Sequence, residues 1–285
     1  MNMKPASLDC HSTTAKLYAI SDLHLSDKKM QAAIASLPNF ENDWLIIAGD
    51  VGENLEHLQF ALNHLFEKFK QIIWVPGNHD LWSSQKNDAE LYGEEKYKKM
   101  VSICHSYNTI TPEDQYVKFA SGTNKCFIIV PVFTLYDYSF RPDDIPITQA
   151  VDWALEDETL CSDEFFLIPK PYENISDWCK MRIKYTQERL EKIPPEIPII
   201  LINHYPTIEK LAVSQIHPRF KIWCGTRNTE NWHLKYNIKK VVYGHMHTPS
   251  SQFINNTCFE EVSIPYPITN FDNFLLKDCL KQILP

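Results

Sequence analysis

Eight side chains of the types that bind divalent cations or move protons each stand at the end of a short apolar run. They are Asp22 and His24 in "DLHL", Asp50 in "AGD", Asn78 and His79 in "PGNHD", His204 in "NHYP", and His245 and His247 in "GHMH". Carboxylates mixed with imidazoles suit Mn, Fe or Zn better than Ca or Mg, which prefer all-oxygen shells. Eight such groups are too many for one four-coordinate ion and enough for two ions that share a bridging carboxylate. Two cations about 3.5–4 Å apart clamp the attacking and leaving oxygens of a displacement at phosphorus and bring a shared water towards neutral pKa. Three of the chain's seven glycines, Gly49, Gly77 and Gly244, immediately precede one of these residues. Glycine there lets backbone approach an ion closely.

The elements that must carry these groups are legible. "KLYAIS", "DWLIIAG" and "QIIWVPG" are too short for helices and too continuous for half-exposed strands, so they read as buried strands of a mostly parallel sheet. Between the second and third, Leu55, Leu58, Leu62, Leu65 and Phe69 recur at helical spacing behind Asn54, a good N-cap. Asp22 to Asp50 and Asp50 to Asn78 are equal intervals of 28 positions, and one βαβ unit takes about 30 residues. The polar groups therefore recur at the C-terminal edge of successive parallel strands, where open α/β sheets place their ligands. "CFIIVPVF", "IPIILIN" and "KKVVYG" read as further strands, and a helix is expected over Asp177–Lys192, stopped by Pro194 and Pro195.

"DLH", "GD", "GNHD", "NH" and "GHMH", in this order from Asp22 to His247, resemble the five-block signature of the calcineurin-like metallophosphoesterases. The resemblance implies an α/β fold: a four-layer αββα sandwich of two mostly parallel or mixed sheets flanked by helices, with a dinuclear centre at the strand C-terminal edge. It implies that one ion takes Asp22, His24, Asp50 and His247. The other takes Asp50, Asn78, His204 and His245, with Asp50 bridging. His79 is then the proton donor to the leaving oxygen, and Asp80 the carboxylate that orients it. Serine/threonine protein phosphatases, which look similar, carry an arginine after the bridging aspartate. "GDVGEN" and "GNHD" have none, so that activity is not expected.

Composition narrows the setting. The 285 residues are 44% hydrophobic and 22% charged, an ordinary globular balance. No stretch approaches the roughly 18 apolar residues of a membrane helix, and "MNMKPASLDCHSTTAK" has no apolar core of a secretory signal, so no membrane and a cytoplasmic location are expected. A net charge of −8 argues against nucleic acid as substrate. The eight cysteines form no CxxC pair and read as free thiols. His11, His57, His64, His105, His217 and His233 have no strand-end setting and are assigned no role.

Residues 1–285 are read as a single domain with an insertion or cap at about 136–180. That stretch has no clear periodicity and carries Tyr136, Tyr138, Phe140, Arg141, Phe166, Tyr172, Trp178 and Arg182. It is either a cap over a small-molecule pocket or a surface elaboration with its own minor core, and its acids, Asp137, Asp143 and Asp144 among them, read as a solvated face. In "CGTRNTENWH", Gly225 and Thr226 suggest a turn that leaves Arg227 near the metal edge. Its guanidinium fork would grip a phosphate, or else pair with Glu230 or another surface acid. The leading expectation is a two-metal phosphatase acting on a phosphomonoester of a small phosphorylated metabolite. A phosphodiesterase is the alternative, and a non-catalytic metal-binding scaffold a second one.

Overall fold

Alternation within the buried strands decides the layering. In β1 (Leu17–Ile20), Leu17 and Ala19 enter one apolar cluster while Ile20 enters another. β2 (Phe40–Ile47) likewise sends Ile46 to the first cluster and Leu45 and Ile47 to the second, and β3 (Phe69–Trp74) divides Ile73 from Ile72 and Trp74. The first cluster also receives Phe127, Ile129, Ile200, Ile202 and Val242 from the other sheet, so it is the core between the sheets. The second holds the buried faces of the helices. Strands covered on both faces read as continuous apolar runs, as expected.

The computed structural model describes residues 14–83, 91–120, 122, 125–214, 216–265 and 274–285. The further strands are β4 (Val117–Ala120), β5 (Cys126–Pro131), β6 (Ile199–Ile202), β7 (Ile238–Tyr243), β8 (Ser250–Ile254), β9 (Thr257–Glu261) and β10 (Lys281–Leu284). One sheet runs β10-β1-β2-β3 and the other β4-β5-β6-β7-β9-β8. β1, β2 and β3 are parallel, as are β5, β6, β7 and β9, while the outer strands β10, β4 and β8 pair antiparallel. The helices are α1 (Lys28–Ala35), α2 (Leu55–Leu65), α3 (Asn78–Leu81), α4 (Gly93–Ser106), α5 (Ala150–Leu155), α6 (Asp163–Phe166), α7 (Ile175–Leu190), α8 (Trp232–Lys235) and α9 (Leu276–Cys279). Asn54 caps α2 by accepting from the His57 amide. The expected 177–192 helix is α7; it starts earlier because Asn174 caps it, and ends at Leu190, before the prolines.

The sequence reading passes over β4, β8, β9, β10 and α4. β8 is half-exposed along its length and β10 exposed over its first half, so neither shows the apolar run of the central strands. Of the cysteines, Cys104, Cys161, Cys179, Cys224, Cys258 and Cys279 are free thiols. Cys126 is disulfide-bonded, which corrects the reading of free thiols throughout. Cys10 and His11 lie outside the described residues. No helix among the described residues is long and apolar enough to cross a membrane.

Candidate metal centre

The two sheets are tied together at the C-terminal edge of their parallel strands. Ser21, at the end of β1, donates its amide to Val262 and accepts at its carbonyl from the Ile264 amide. His204, beyond β6, has its Nδ1 2.9 Å from the Ala48 carbonyl at the end of β2. The His245 amide, beyond β7, donates to Asp22 Oδ2 at 3.0 Å. One sheet thus presents Asp22, His24, Asp50, Asn78 and His79, and the other His204, His245 and His247, into one cleft.

Two ligand-type clusters result. Asp22, His24 and His247 form one, Asp50, His204 and His245 the other, and within each the ligand atoms lie within 4.8 Å of one another. His24, Asp50 and His79 form a third that joins the two. In the first, Asp22 Oδ1 is 3.3 Å from His247 Nε2 and 3.8 Å from His24 Nε2, and it is buried without a hydrogen bond. In the second, His204 Nε2 lies 3.3 Å from Asp50 Oδ2 and 3.2 Å from Asn78 Oδ1. Carbonyls can only accept, so Nδ1 of His204 donates to Ala48 and Nδ1 of His247 donates to Ile264. Both Nε2 atoms are thereby aimed into the cleft, as metal-ligating histidines are commonly held.

Backbone geometry marks the same residues. Asp22, His24, Asp50, His245 and His247 all have positive φ, between 43° and 71°. A non-glycine residue held there costs about 1–3 kcal/mol, and such strain collects at functional sites. Close approach explains the glycines. A Cβ on Gly77 would sit 2.1 Å from Asp50 Oδ1, and one on Gly244 2.4 Å from Asp22 Oδ2.

Electrostatics favour a cation beside Asp50. Burial would raise the Asp50 carboxylate, but His204, with His79 and His24 behind it, holds it well below the usual range. Burial would lower the His204 imidazole, yet Asp50 outweighs this and holds it up at about 10. The pair demands a cation, either a proton on Nε2 or a metal ion in its place. Burial, then His204, drives His245 well below its ordinary value, leaving a neutral ring whose Nε2 has no hydrogen-bond partner. Orphaned acceptors and neutral imidazoles around two carboxylates fit two divalent cations.

Asp80 does something other than expected. Its carboxylate accepts from the amides of Asp50, Val51, Gly52 and Gly77 at 2.9–3.2 Å, while His79 Nδ1 has no hydrogen-bond partner. Four backbone donors exhaust its acceptors. It binds the turn after β2 to the turn after β3, and so places Asp50 beside Asn78 without touching the His79 ring. His79 is held instead by its amide, 2.9 Å from Asp50 Oδ1, and by the Trp82 indole, whose centroid lies 3.7 Å from its own. Burial lowers the His79 imidazole to about 4.

Arg227 is also placed differently. Its fork is spent on Asp143, on Glu209 at 3.3 Å and on the Arg141 carbonyl at 3.0 Å, and its amide donates to Ser139 Oγ. It fastens residues 139–143 to the 209–227 region and lines neither cleft described below. The surface acids that claim it are Asp143 and Glu209; Glu230 instead accepts from the Glu209 amide.

Two cavities border His79. One of about 430 Å³ is lined by Asp22, His24, Met30, Glu53, His247 and Ile264. The other, about 480 Å³, is lined by Asp50, Asn78 and His245 with Trp82, Leu160, Ser162, His217 and Phe220. Residues from the 136–180 stretch therefore reach the site, while Tyr136, Phe140 and Trp178 of the same stretch, and Arg182 just beyond it on α7, are buried. Two residues escaped the sequence reading. His217 lines the second cavity from a segment with no strand-end signal. Asp163 lies at the start of α6, buried, with Oδ1 2.8 Å from Asn78 Nδ2 and 2.6 Å from Trp82 Nε1. Nothing around it in "CSDEFF" sets it apart from the stretch's other acids.

The chain is 36% identical over 269 residues, 94% of its length and 83% of the relative's, to the [acyl-carrier-protein] phosphodiesterase PptH of Mycobacterium tuberculosis. It resembles the crystal structure of phosphopantetheinyl hydrolase (PptH) from Mycobacterium tuberculosis with a TM-score of 0.87 at 35% identity, covering 96% of this chain and 98% of that one. Residues 15–249 match the calcineurin-like phosphoesterase family. With every motif block of that family at a parallel-strand end around one cleft, the chain belongs to the calcineurin-like phosphoesterases, hydrolases of phosphoric ester bonds.

Proposed function

We propose that this protein is a phosphodiesterase, and that its substrate is the diester linking a phosphopantetheinyl arm to a carrier protein. The observation that carries this is the 36% identity to an acyl-carrier-protein phosphodiesterase over nearly the whole chain, the 136–180 stretch included. The reading displaces the small-metabolite monoester expected from the sequence in favour of its alternative. The cavities support it: a diester carries two substituents away from phosphorus, and His79 borders two cavities.

On this reading Asp22, His24, Asp50 and His247 hold one divalent cation. Asp50, Asn78, His204 and His245 hold a second, with Asp50 shared. The mixed oxygen and nitrogen donors favour Mn, Fe or Zn. Two such ions neutralise phosphate charge and activate water. His79 serves the leaving oxygen. Its ring is neutral in the free site because of burial, and an anionic phosphate against it restores the balance towards the protonated, donating form. Trp82 fixes the ring plane, and Asp80 holds the two turns that bring Asp50 and His79 together.

Purified protein with manganese, given a carrier protein bearing its phosphopantetheinyl arm, should release the arm, read as a mass loss on the carrier. Bis(p-nitrophenyl) phosphate should be cleaved faster than p-nitrophenyl phosphate. Cleavage of the monoester alone, with the carrier untouched, would return the protein to the phosphatases.

A further inference from the structure

The 136–180 stretch contributes one carboxylate that meets two parts of the site at once. Asp163 Oδ1 accepts from the Asn78 amide nitrogen at 2.8 Å and from the Trp82 indole at 2.6 Å. A carboxylate only accepts, so the first bond settles which way the Asn78 amide faces: Nδ2 towards Asp163, Oδ1 towards His204 Nε2 at 3.2 Å and the Asp50 cluster. The second bond pins the indole on which the His79 ring rests. α6 is itself docked at this point. The Ser83 amide donates to the Phe166 carbonyl at 2.8 Å, and the Trp82 and Phe166 rings lie 5.2 Å apart. The neighbouring Glu164 accepts from Tyr138 at 2.8 Å and Trp223 at 2.6 Å, which anchors the helix from its other side.

We infer that Asp163 is a positioning residue for the metal centre, presenting the Asn78 oxygen to the cation bound by Asp50, His204 and His245 and holding Trp82 beneath His79. A neutral amide oxygen is a weak donor, and a negative charge behind its NH₂ group polarises it towards the cation. The stretch is in that case part of the metal centre, beyond any role as a cover. The inference rests on the assignment of Asn78 as a ligand, and the test separates the two.

Chelator-treated protein is titrated with manganese alone, and binding at each site is followed by electron paramagnetic resonance and metal analysis. Asn78→Ala should weaken one of the two sites and leave the other. Asp163→Ala should weaken that same site by about 10–100-fold, the usual effect of removing a partner behind a ligand. The double variant should bind no worse than Asn78→Ala alone. Asp163→Asn, nearly isosteric, guards against misfolding. Its amide oxygen can still accept both bonds, so it should weaken the site by less. The Trp82 indole proton resonance, assigned by its loss in Trp82→Phe, should move upfield in Asp163→Ala. Wild-type manganese affinity at both sites in folded Asp163→Asn and Asp163→Ala would overturn the inference. An unchanged site in Asn78→Ala would overturn the ligand assignment beneath it.

Discussion

On the sheet side of the cleft, Asp22, Asp50 and Asn78 each follow a buried parallel strand within four residues, and a glycine stands just before Asp50 and just before Asn78. On the other side, Leu160, Ser162 and Asp163 reach the same cleft from a stretch, 136–180, that contains no strand. The first wall is periodic. Its spacing is that of the βαβ unit, and its ligands sit where any parallel sheet exposes its loops. The second is placed by individual contacts: Asp163 to Asn78, Phe166 to Ser83, Glu164 to Trp223. The candidate ligands thus come mostly from a wall set by a repeating unit, and their surroundings from a wall set by single contacts.

Substitutions in the periodic wall should be the most damaging. Asp50→Asn removes the carboxylate between both clusters, so metal content should collapse at both sites and turnover should vanish. Two ions bound at full occupancy in that variant would break the bridging role, and elemental analysis reads it directly. Gly77→Ala should come close behind, since its Cβ would fall 2.1 Å from Asp50 Oδ1 and must displace it. Wild-type metal content and kcat in Gly77→Ala would show slack in that turn.

His79 stands where the two walls meet, and its loss should be intermediate. His79→Ala should lower kcat by roughly 10²–10⁴-fold, the range for a positioned acid–base group, with metal content unchanged. The loss should shrink for nitrophenyl esters, whose leaving groups need little protonation. Equal losses for nitrophenyl and alkyl esters would count against the donor role.

A smaller and conditional effect concerns pH. In metal-free protein the His204 imidazole is raised from 6.5 to about 10 by Asp50, which outweighs burial. A group raised on folding contributes stability fully present below its unfolded value and lost as pH rises through the folded one. The Tm of chelator-treated protein should therefore fall between about pH 6.5 and 10, and manganese, replacing the proton, should flatten that slope. A metal-free Tm that is level across this window would contradict the charge pairing. The least effect is expected at Arg227. Its fork is occupied by Asp143, Glu209 and the Arg141 carbonyl, so Arg227→Ala should leave kcat/KM and inhibition by inorganic phosphate unchanged. Weaker phosphate inhibition in that variant would return it to the site.

How much was legible follows the same division. The central strands and α2 were readable because burial on both faces forces continuous apolar runs, and because a helix between parallel strands must show its 3.6-residue period. The edge strands β8 and β10 were not readable, since exposed edges carry polar residues without a distinctive pattern. The candidate ligands stand out by motif order, and the fold brings Asp22, His24, Asp50, His204, His245 and His247 into clusters at one cleft. The role of Asp80 was misread from adjacency: next to His79 in the chain, it turns away to bind four amides of two turns. For Arg227 the contacts fit the surface-acid alternative to a phosphate grip, with Asp143 and Glu209 as the acids that the fold brings to it.

From the sequence come the candidate ligand residues and the central parallel strands that deliver them, because both are set by local pattern: apolar period, glycine and strand-end polarity. Only the tertiary structure decided which oxygen faces which nitrogen, that Asp163 lies 85 residues from Asn78 yet accepts its amide proton, and that a fork near the site is already filled. Those contacts join segments remote in the chain. A hydrogen bond depends on distances of a fraction of an ångström in space, and sequence spacing constrains such distances only within a regular element.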